Sequence, residues 1–260
     1  MKMQMKALTR HVLGLSGGKD SSALAIYMRD HQPDIHTKME YYFCDTGSEL
    51  PEVYAFLEKL EDYLGKPIIK LQAEGGFLGV LKDKGNFLPS YNTRWCTELL
   101  KIKPFDKFVG EDKVISYIGI RHDENRKGYI SKKKNIETVY PFIDAKLVRE
   151  DIFAILEHSI GIPEYYRWRS RSGCYFCFFQ RQSEWLGLKR EHPLLFKKSV
   201  AIEKKSKFNW NSGGTLDEVV AKAQAREDKK KQTANQISLD WKERIKEEDE
   251  NNPACPVCHL

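Results

Sequence analysis

The sequence Ser16-Gly17-Gly18-Lys19-Asp20-Ser21 joins an apolar run at residues 12–15 to a helix-like segment at residues 20–28. A strand, a glycine turn and a helix N-terminus together make an anion site, because glycines let the backbone approach a phosphate and the first helical amides point at it. The spacing differs from the Walker loop and from the dinucleotide fingerprint. The alternative is a Gly-Gly turn before an amphipathic helix. The hexapeptide favours a phosphate-binding loop.

Strand-like and helix-like segments alternate after this loop. Strand patterns occur at residues 11–15, 39–44, 68–71 and 114–120, with a short fifth at 138–141, and helical spacing occurs at residues 50–64, 99–109 and 149–160. The alternation predicts an α/β fold, with a parallel sheet covered by helices on both faces. Ligands bind such sheets at the carboxyl ends of the strands, where the hexapeptide lies.

The pattern changes from Tyr165, where aromatic, arginine and cysteine residues become dense. Residues 182–208 and 215–250 then have helical character, and the second of these segments is highly charged. We therefore predict two units: a sheet domain at residues 1–162 and a smaller helical, cysteine-bearing module with a charged tail at residues 163–260.

Composition limits the classes of protein that the chain can belong to. Its 260 residues fit one large domain or a domain with an appendage, and its net charge of +6 permits binding to phosphates or nucleic acid. No stretch approaches the roughly 18 apolar residues that cross a bilayer, and the N-terminus is not a signal peptide. We expect a cytoplasmic protein without membrane contact. Its six cysteines are then expected to be ligands, catalysts or core residues rather than disulfides.

The hexapeptide resembles the pyrophosphate loop (PP-loop) of the N-type ATP pyrophosphatases, which split ATP between the α and β phosphates. Three further segments resemble the phosphoadenosine phosphosulfate reductase superfamily, in the family's order: Asp45-Thr46-Gly47 with Pro51, Arg94-Trp95-Cys96 with Lys101 and Pro104, and Gly119-Ile120-Arg121 with Glu124 and Arg126. The resemblance covers residues 12–185. It implies an adenine nucleotide alpha hydrolase-like core.

The resemblance also implies a nucleotide site. Its ATP-binding residues are Ser16, Gly17, Gly18, Lys19, Asp20, Ser21, Asp45, Thr46, Gly47, Arg121 and Arg126. Ser16, Lys19, Asp20 and Arg121 are the implied catalytic residues, with Lys19 and Arg121 offsetting developing charge and Asp20 or Asp45 positioning Mg²⁺. The alternative for Asp45 is a helix N-cap region. The alternative for Arg121 and Arg126 is an exposed charged loop.

The cysteines form a second candidate site. Cys96, Cys174 and Cys177 are implied by the resemblance to hold a [4Fe–4S] cluster, with Zn²⁺ and reduced core cysteines as alternatives. Trp95 stands where related adenylylsulfate reductases carry a further cysteine, so this chain departs from their four-cysteine pattern. Cys255 and Cys258 near the end of the chain are candidates for the missing ligand, for a mobile thiol pair, or for a tail without ligands. Cys44 is expected to be buried and inert.

The sequence most resembles the Dnd/Ssp-type ATP pyrophosphatases of bacterial DNA phosphorothioation. That resemblance implies that ATP adenylates an acceptor oxygen and that sulfur from a cysteine desulfurase or another donor then displaces AMP. It implies a DNA acceptor, bound directly or through partner subunits, and a homodimer is possible. The alternatives are a phosphoadenosine phosphosulfate or adenylylsulfate reductase and a non-catalytic nucleotide-binding scaffold.

Four arginines lie among aromatic residues around the cysteine pair: Arg167, Arg169, Arg171 and Arg181. Such a mixture can bind phosphates and stack on bases, so it predicts a nucleic-acid surface. The alternative is that these side chains pack the cysteine module.

Overall fold

A five-stranded parallel sheet forms the centre of the molecule, which we analysed as a computed structural model describing residues 9–125 and 133–233. The strands are β1 (Arg10–Gly14), β2 (Met39–Asp45), β3 (Ile68–Gln72), β4 (Val114–Tyr117) and β5 (Ile136–Val139). Their order is β3-β2-β1-β4-β5, with every neighbouring pair parallel. The hexapeptide therefore follows the central strand, at the carboxyl edge where such sheets bind ligands.

Eleven α-helices are present in the described residues. They are α1 (Lys19–His31), α2 (Pro33–His36), α3 (Pro51–Leu64), α4 (Gly76–Asp83), α5 (Trp95–Thr97), α6 (Lys103–Val109), α7 (Pro141–Asp144), α8 (Arg149–Glu157), α9 (Gln182–Glu191), α10 (Pro193–Ser206) and α11 (Leu216–Thr233). A π-helical turn, Glu98–Ile102, joins α5 to α6, and a 3-10 turn spans Glu164–Arg167.

Side chains of the central strands alternate between two buried layers. Leu13 and Tyr41 belong to the core that includes α1, α3 and α8, whereas Val12 and Tyr42 belong to a second core with Phe105 of α6. Successive strand residues point to opposite faces of a sheet. The predicted α/β fold with helices on both faces is confirmed.

Prolines set the starts of α6 and α10. The sequence predicts a helix start or a break near Pro104, whereas it predicts one helix across Pro193. Pro104 follows the π-helical turn, in which Lys103 N–H bonds to the carbonyl of Glu98. Pro193 is the first residue of α10, so residues 182–208 form two helices instead of one. Proline has no N–H for the helical ladder and is tolerated in the first turn.

The apolar core continues from the sheet into the C-terminal helices. The ring of Phe77 in α4 lies 4.2 Å from that of Phe176, Phe176 stacks on Trp210 at 5.0 Å, and Trp210 approaches Trp185 of α9 at 6.4 Å. Residues 163–233 therefore pack directly on the core of the sheet region. The division at residue 162 stays a prediction.

Three predicted site residues lie outside the residues that the structure describes: Arg126, Cys255 and Cys258. The predicted helix at residues 215–250 is described as far as Thr233. Within the described ranges, none of the helices combines the length and the apolar character that crossing a membrane requires.

Candidate functional site

The hexapeptide forms a tight loop that only glycines can make. Gly17 has φ +69°, and a Cβ atom there would lie 2.7 Å from Val53 Cγ1 of α3. A Cβ on Gly18 would lie 2.8 Å from Ser172 Oγ. A larger residue at either position would therefore displace a neighbouring segment.

Serine hydroxyls hold this loop from inside. Ser16 N–H donates to Ser21 Oγ at 3.2 Å, and Gly18 N–H donates to Ser16 Oγ at 3.3 Å. Ser172, from the cysteine-bearing segment, donates its hydroxyl to Ser16 Oγ at 3.2 Å. The two predicted serines thus meet a third one that the sequence did not place there.

Lys19, Asp20 and Arg121 form a buried charged row across the start of α1. Asp20 Oδ2 lies 3.1 Å from Lys19 Nζ, and Asp20 Oδ1 lies 2.7 Å from Arg121 Nη1. The side chains of Lys19 and Arg121 are 5% and 4% exposed. The structure thus joins three residues that were assigned to one site, and it buries Arg121 instead of leaving it in an exposed loop.

Arg121 is surrounded by carboxylates. Besides Asp20, it contacts Asp123 at 2.9 Å and Glu124 at 2.9 Å. Burial lowers the pKa of Arg121, but the charges of Asp20 and Glu124 outweigh burial and raise that pKa above its ordinary value. The guanidinium is therefore a permanent cation held by three acidic groups.

The loop after β2 is organised by its own side chains. Asp45 Oδ1 accepts hydrogen bonds from Gly47 N–H at 2.7 Å and from Tyr54 Oη at 2.8 Å. α3 begins at Pro51 after Leu50, whose side chain supplies no cap. Asp45 therefore closes a turn at Gly47, and the N-cap alternative for this region is not realised at α3.

Glu49, which sequence reasoning did not single out as a functional residue, is the centre of a buried network. Its carboxylate accepts bonds from Thr46 Oγ1 at 2.7 Å, Ser48 N–H at 3.1 Å and Tyr54 Oη at 3.2 Å. Burial raises the pKa of Glu49, while the hydrogen bond from Thr46 lowers it and the charge of Asp45 adds to the rise. The hydroxyl of Thr46 therefore donates its hydrogen bond to Glu49.

Two tyrosines fasten the hexapeptide from the far side of the chain. Tyr165 Oη donates to the carbonyl of Gly17 at 2.7 Å, and Lys19 N–H donates to Tyr166 Oη at 3.0 Å. Both rings are buried. We call this pair the tyrosine clasp. No local pattern signals it, because the residues that it joins are almost 150 positions apart.

The structure brings Cys174 and Cys177 together but not into a three-residue metal site. Cys174 Sγ lies 3.2 Å from Thr46 Oγ1 and 3.9 Å from Glu49 Oε1, and Cys177 N–H donates to the carbonyl of Cys174 at 3.1 Å. Cys96 lies in α5. In the described ranges, no three His, Cys, Asp or Glu side chains are grouped so that they could hold a metal ion. The cluster stays a prediction.

Cys44 is buried in the core on the α6 side of the sheet. Burial raises the pKa of its thiol to about 12. This agrees with an inert core cysteine.

The predicted arginine surface divides into buried and accessible members. Arg169 is 1% exposed and donates to the carbonyls of Gly173 at 3.1 Å and Cys174 at 2.8 Å. It packs the cysteine segment, as the alternative had it. Arg167 is exposed, and Arg171 lies over the ring of Phe179 at 5.4 Å.

Comparisons with known proteins add a family to this geometry. Residues 10–153, more than half of the chain, match the phosphoadenosine phosphosulfate reductase domain. An uncharacterised protein of Methanocaldococcus jannaschii is 31% identical over 218 residues, 78% of this chain and 43% of that protein. A second one from the same organism is 27% identical over 201 residues, 73% of this chain and 46% of its own length. The chain thus spans less than half the length of either archaeal relative.

Two further matches have different sources. An uncharacterised nin region protein of Escherichia phage lambda is 25% identical over 209 residues, 68% of each chain. The crystal structure of phosphoadenylyl-sulfate reductase from Candida auris, a phosphate complex, aligns with 60% of this chain and 75% of that one, at 14% identity and a TM-score of 0.46.

Proposed function

The chain belongs to the phosphoadenosine phosphosulfate reductase domain family, and on that premise we propose that it is a PP-loop ATP pyrophosphatase. One observation carries this proposal. The phosphate loop is intact, and its Lys19 lies beside the buried Asp20–Arg121 ion pair at the N-terminus of α1. Helix N-terminal amides and a buried cation together favour a polyphosphate.

The charges of the site explain why a divalent cation belongs to the substrate. Lys19 and Arg121 contribute two positive charges, whereas Asp20, Asp123 and Glu124 contribute three negative ones. Among these five described side chains, a bare polyphosphate would meet one more negative charge than positive charges. Mg²⁺ fits this donor set, because it prefers one or two carboxylates together with phosphate oxygens.

The residues of the site have different roles in the proposed reaction. The Lys19 ammonium and the positive end of the α1 dipole hold the β and γ phosphates, and Arg121 balances charge as it develops on the leaving pyrophosphate. Asp20 positions Mg²⁺, which supplies Lewis-acid neutralisation of the phosphate oxygens when bound. An acceptor hydroxyl loses its proton to solvent as its oxygen attacks the α phosphorus, the α–β anhydride bond breaks, and the bridging oxygen leaves with pyrophosphate. AMP stays on the acceptor oxygen, and it is released as free AMP when the acceptor is water.

Product analysis tests this reaction directly. ATP labelled in the α phosphate should give AMP with stoichiometric pyrophosphate, and Lys19→Met or Asp20→Asn should slow the reaction about 100-fold or more. Lys59→Met, which changes an exposed lysine of α3, is the matched control. Formation of ADP and phosphate would overturn the proposal.

Sulfur transfer to DNA is the finer part of the proposal. The Dnd/Ssp-type resemblance supports a cysteine desulfurase or other sulfur donor and a DNA acceptor, held directly or through partner subunits. It also supports a cluster on Cys96, Cys174 and Cys177, but no step of the proposed reaction passes through it. Iron and acid-labile sulfide in anaerobically purified protein would support the cluster, and stoichiometric zinc in a colourless preparation would reject it.

A reductase is the second candidate, and the family match over residues 10–153 favours it. Such an enzyme releases sulfite from phosphoadenosine phosphosulfate or adenylylsulfate with electrons from a thiol donor. Incubation with either sulfonucleotide and reduced thioredoxin separates the candidates. Sulfite without pyrophosphate formation from ATP would favour the reductase.

A further inference from the structure

Four side chains from two distant segments meet beside the phosphate loop. Tyr91 and Arg94 precede α5, whereas Arg171 and Phe179 flank the cysteine pair. We call these four residues the aromatic platform. Neither segment predicts it alone, since the two are about 80 positions apart in the sequence.

Phe179 is the centre of the platform. The ring of Tyr91 stands edge-on to that of Phe179 with 5.9 Å between centroids. The guanidinium carbons of Arg94 and Arg171 lie 5.3 Å and 5.4 Å from the Phe179 centroid, within the range of cation–π contacts. Arg171 also donates to the carbonyl of Phe179 at 2.8 Å, which fixes the two residues to each other.

The platform is accessible and positively charged. Tyr91 is 66% exposed and Phe179 is half-buried. Arg94 and Arg171 belong to the platform, and the buried Arg169 lies behind it. The carboxylate facing Arg169 and Arg171 is the buried Glu184; burial raises its pKa, but the two arginines and the hydrogen bonds from Ser170 together lower that pKa below its ordinary value. Arg94 and Arg171 thus place two cationic side chains against the Phe179 ring, beside the exposed ring of Tyr91.

Chain connectivity links one residue of the platform to the hexapeptide. Arg171 is followed directly by Ser172, whose hydroxyl donates to Ser16 Oγ in the phosphate loop at 3.2 Å. A ligand on the platform would therefore extend to the proposed site of adenylation.

We propose that the aromatic platform binds single-stranded nucleic acid and presents it as the acceptor. Exposed aromatic rings stack on unpaired bases regardless of sequence, and neighbouring arginines hold the phosphates. A duplex hides its base faces, so it would offer only its phosphates. The identity of the strand as acceptor rests on the proposed function, whereas its binding to the platform does not.

Binding to a fluorescein-labelled DNA single strand of about 12 nucleotides, a length within the range of such sites, tests the inference. Fluorescence anisotropy is measured without ATP, and the same strand annealed to its complement is the comparison. Tyr91→Ala should weaken single-strand binding by about 5-fold to 150-fold, the effect of losing one stacked base. Arg94→Gln should reduce the salt slope by about 0.7.

Arg29 and Tyr63 provide a matched control. The guanidinium carbon of Arg29 lies 4.4 Å from the Tyr63 ring, on the last turns of α1 and α3 and so at the far end of both helices from the loop. Tyr63→Ala should leave strand binding unchanged. Tyr91 is mostly exposed, so its variant should fold even if a variant of Arg171 does not.

The outcomes separate this inference from the proposed function. Wild-type protein that cleaves ATP to AMP but does not bind the strand overturns the platform alone. Strand binding that depends on Tyr91, without cleavage of ATP, supports the platform and overturns the proposed function. If Tyr91→Ala loses affinity for ATP while strand binding is unchanged, the platform holds the adenine base and the inference is wrong.

Discussion

At the scale of single residues, the buried ion pairs of the site determine how much free energy of unfolding is lost when one charged partner is removed. Arg121→Gln would remove the buried cation that Asp20, Asp123 and Glu124 share, and the largely buried carboxylate of Glu124 would lose this ion pair. Removing one partner of a buried pair costs about 3–5 kcal/mol. We expect a loss of that size in the free energy of unfolding, measured by urea titration.

Arg10→Gln is the comparison for this variant. Arg10 also binds two carboxylates, those of Glu40 and Asp112, but it is 21% exposed. Water can solvate the two carboxylates when this guanidinium is removed, so the loss in the free energy of unfolding should be clearly smaller. Equal losses in Arg121→Gln and Arg10→Gln would show that burial does not increase the cost of removing a paired cation.

Glu184 gives stability a defined pH dependence. It accepts bonds from Ser170 N–H and Oγ, and although burial raises its pKa, Arg169, Arg171 and these bonds together lower the pKa below 4.5. A carboxyl group with a lowered folded-state pKa stabilises the protein above its unfolded-state pKa, and this stabilisation is lost as pH falls through the folded-state pKa.

Glu184→Gln should therefore destabilise the protein at neutral pH, and the difference from wild type should shrink as pH falls below about 4. Urea unfolding of both proteins across this range measures the difference. If the difference in the free energy of unfolding stays constant with pH, Glu184 stabilises the protein through packing and hydrogen bonds and not through its charge. Glu150→Gln, an exposed position in the first turn of α8, serves as the control.

Sequence reasoning identified residues whose role depends on their neighbours in the chain. It missed residues whose role depends on contacts that form only in the folded protein. The hexapeptide could be recognised because strand, glycines and helix are consecutive in the chain. Glu49 could not be, because its network exists only once Thr46 and Tyr54 have been brought around it. For Arg169 the sequence leaves a nucleic-acid surface and packing of the cysteine module open, because its burial depends on the path of the Cys174 segment.

At the scale of elements, the tyrosine clasp makes the phosphate loop depend on the 3-10 turn Glu164–Arg167. Tyr166→Phe removes the acceptor of Lys19 N–H but keeps the ring. One hydrogen bond contributes about 0.5–1.5 kcal/mol. The KM for ATP should therefore rise by about 2-fold to 13-fold as the loop loosens, with a smaller change in thermal stability.

Tyr63→Phe is the control for the clasp, since Tyr63 donates only a long, exposed bond of 3.4 Å to Asp30. Steady-state kinetics of the two variants measure KM and kcat separately. Equal KM values in wild type and Tyr166→Phe would mean that the clasp supports the fold without ordering the loop.

Elements were predicted where apolar spacing was regular, whereas the short helix α4 and the helix boundary at Pro193 were not predicted. Period and position gave all five strands to within a few residues, because buried parallel strands are continuous apolar runs. The break before Pro193 was missed because apolar spacing continues on both sides of it. The π-helical turn before Pro104 was not predicted either, although a break near that proline was expected.

At the scale of the whole molecule, Trp210 connects the C-terminal helices to the sheet region through Phe176, and Phe176 contacts Phe77. Trp210 is 4% exposed, and its indole N–H donates to the carbonyl of Ser199 at 3.0 Å. Trp210→Ala should cost about 3–5 kcal/mol. The loss should appear in one transition, because both regions share this core.

Urea unfolding followed by circular dichroism and by tryptophan fluorescence tests this expectation. Leu194→Ala, at a side chain that is 71% exposed, should change stability little. Separate transitions in the two signals would show that residues 163–260 unfold as a unit of their own, as the composition of the sequence had suggested.

The clasp has a consequence for how the protein is made. A ribosome delivers the hexapeptide early, but Tyr165, Tyr166 and Ser172, which hold it, leave the exit tunnel almost 150 residues later. Until then the nascent chain carries a phosphate loop without its supports. The order of synthesis thus leaves the loop without these three contacts until residues 165–172 have been made.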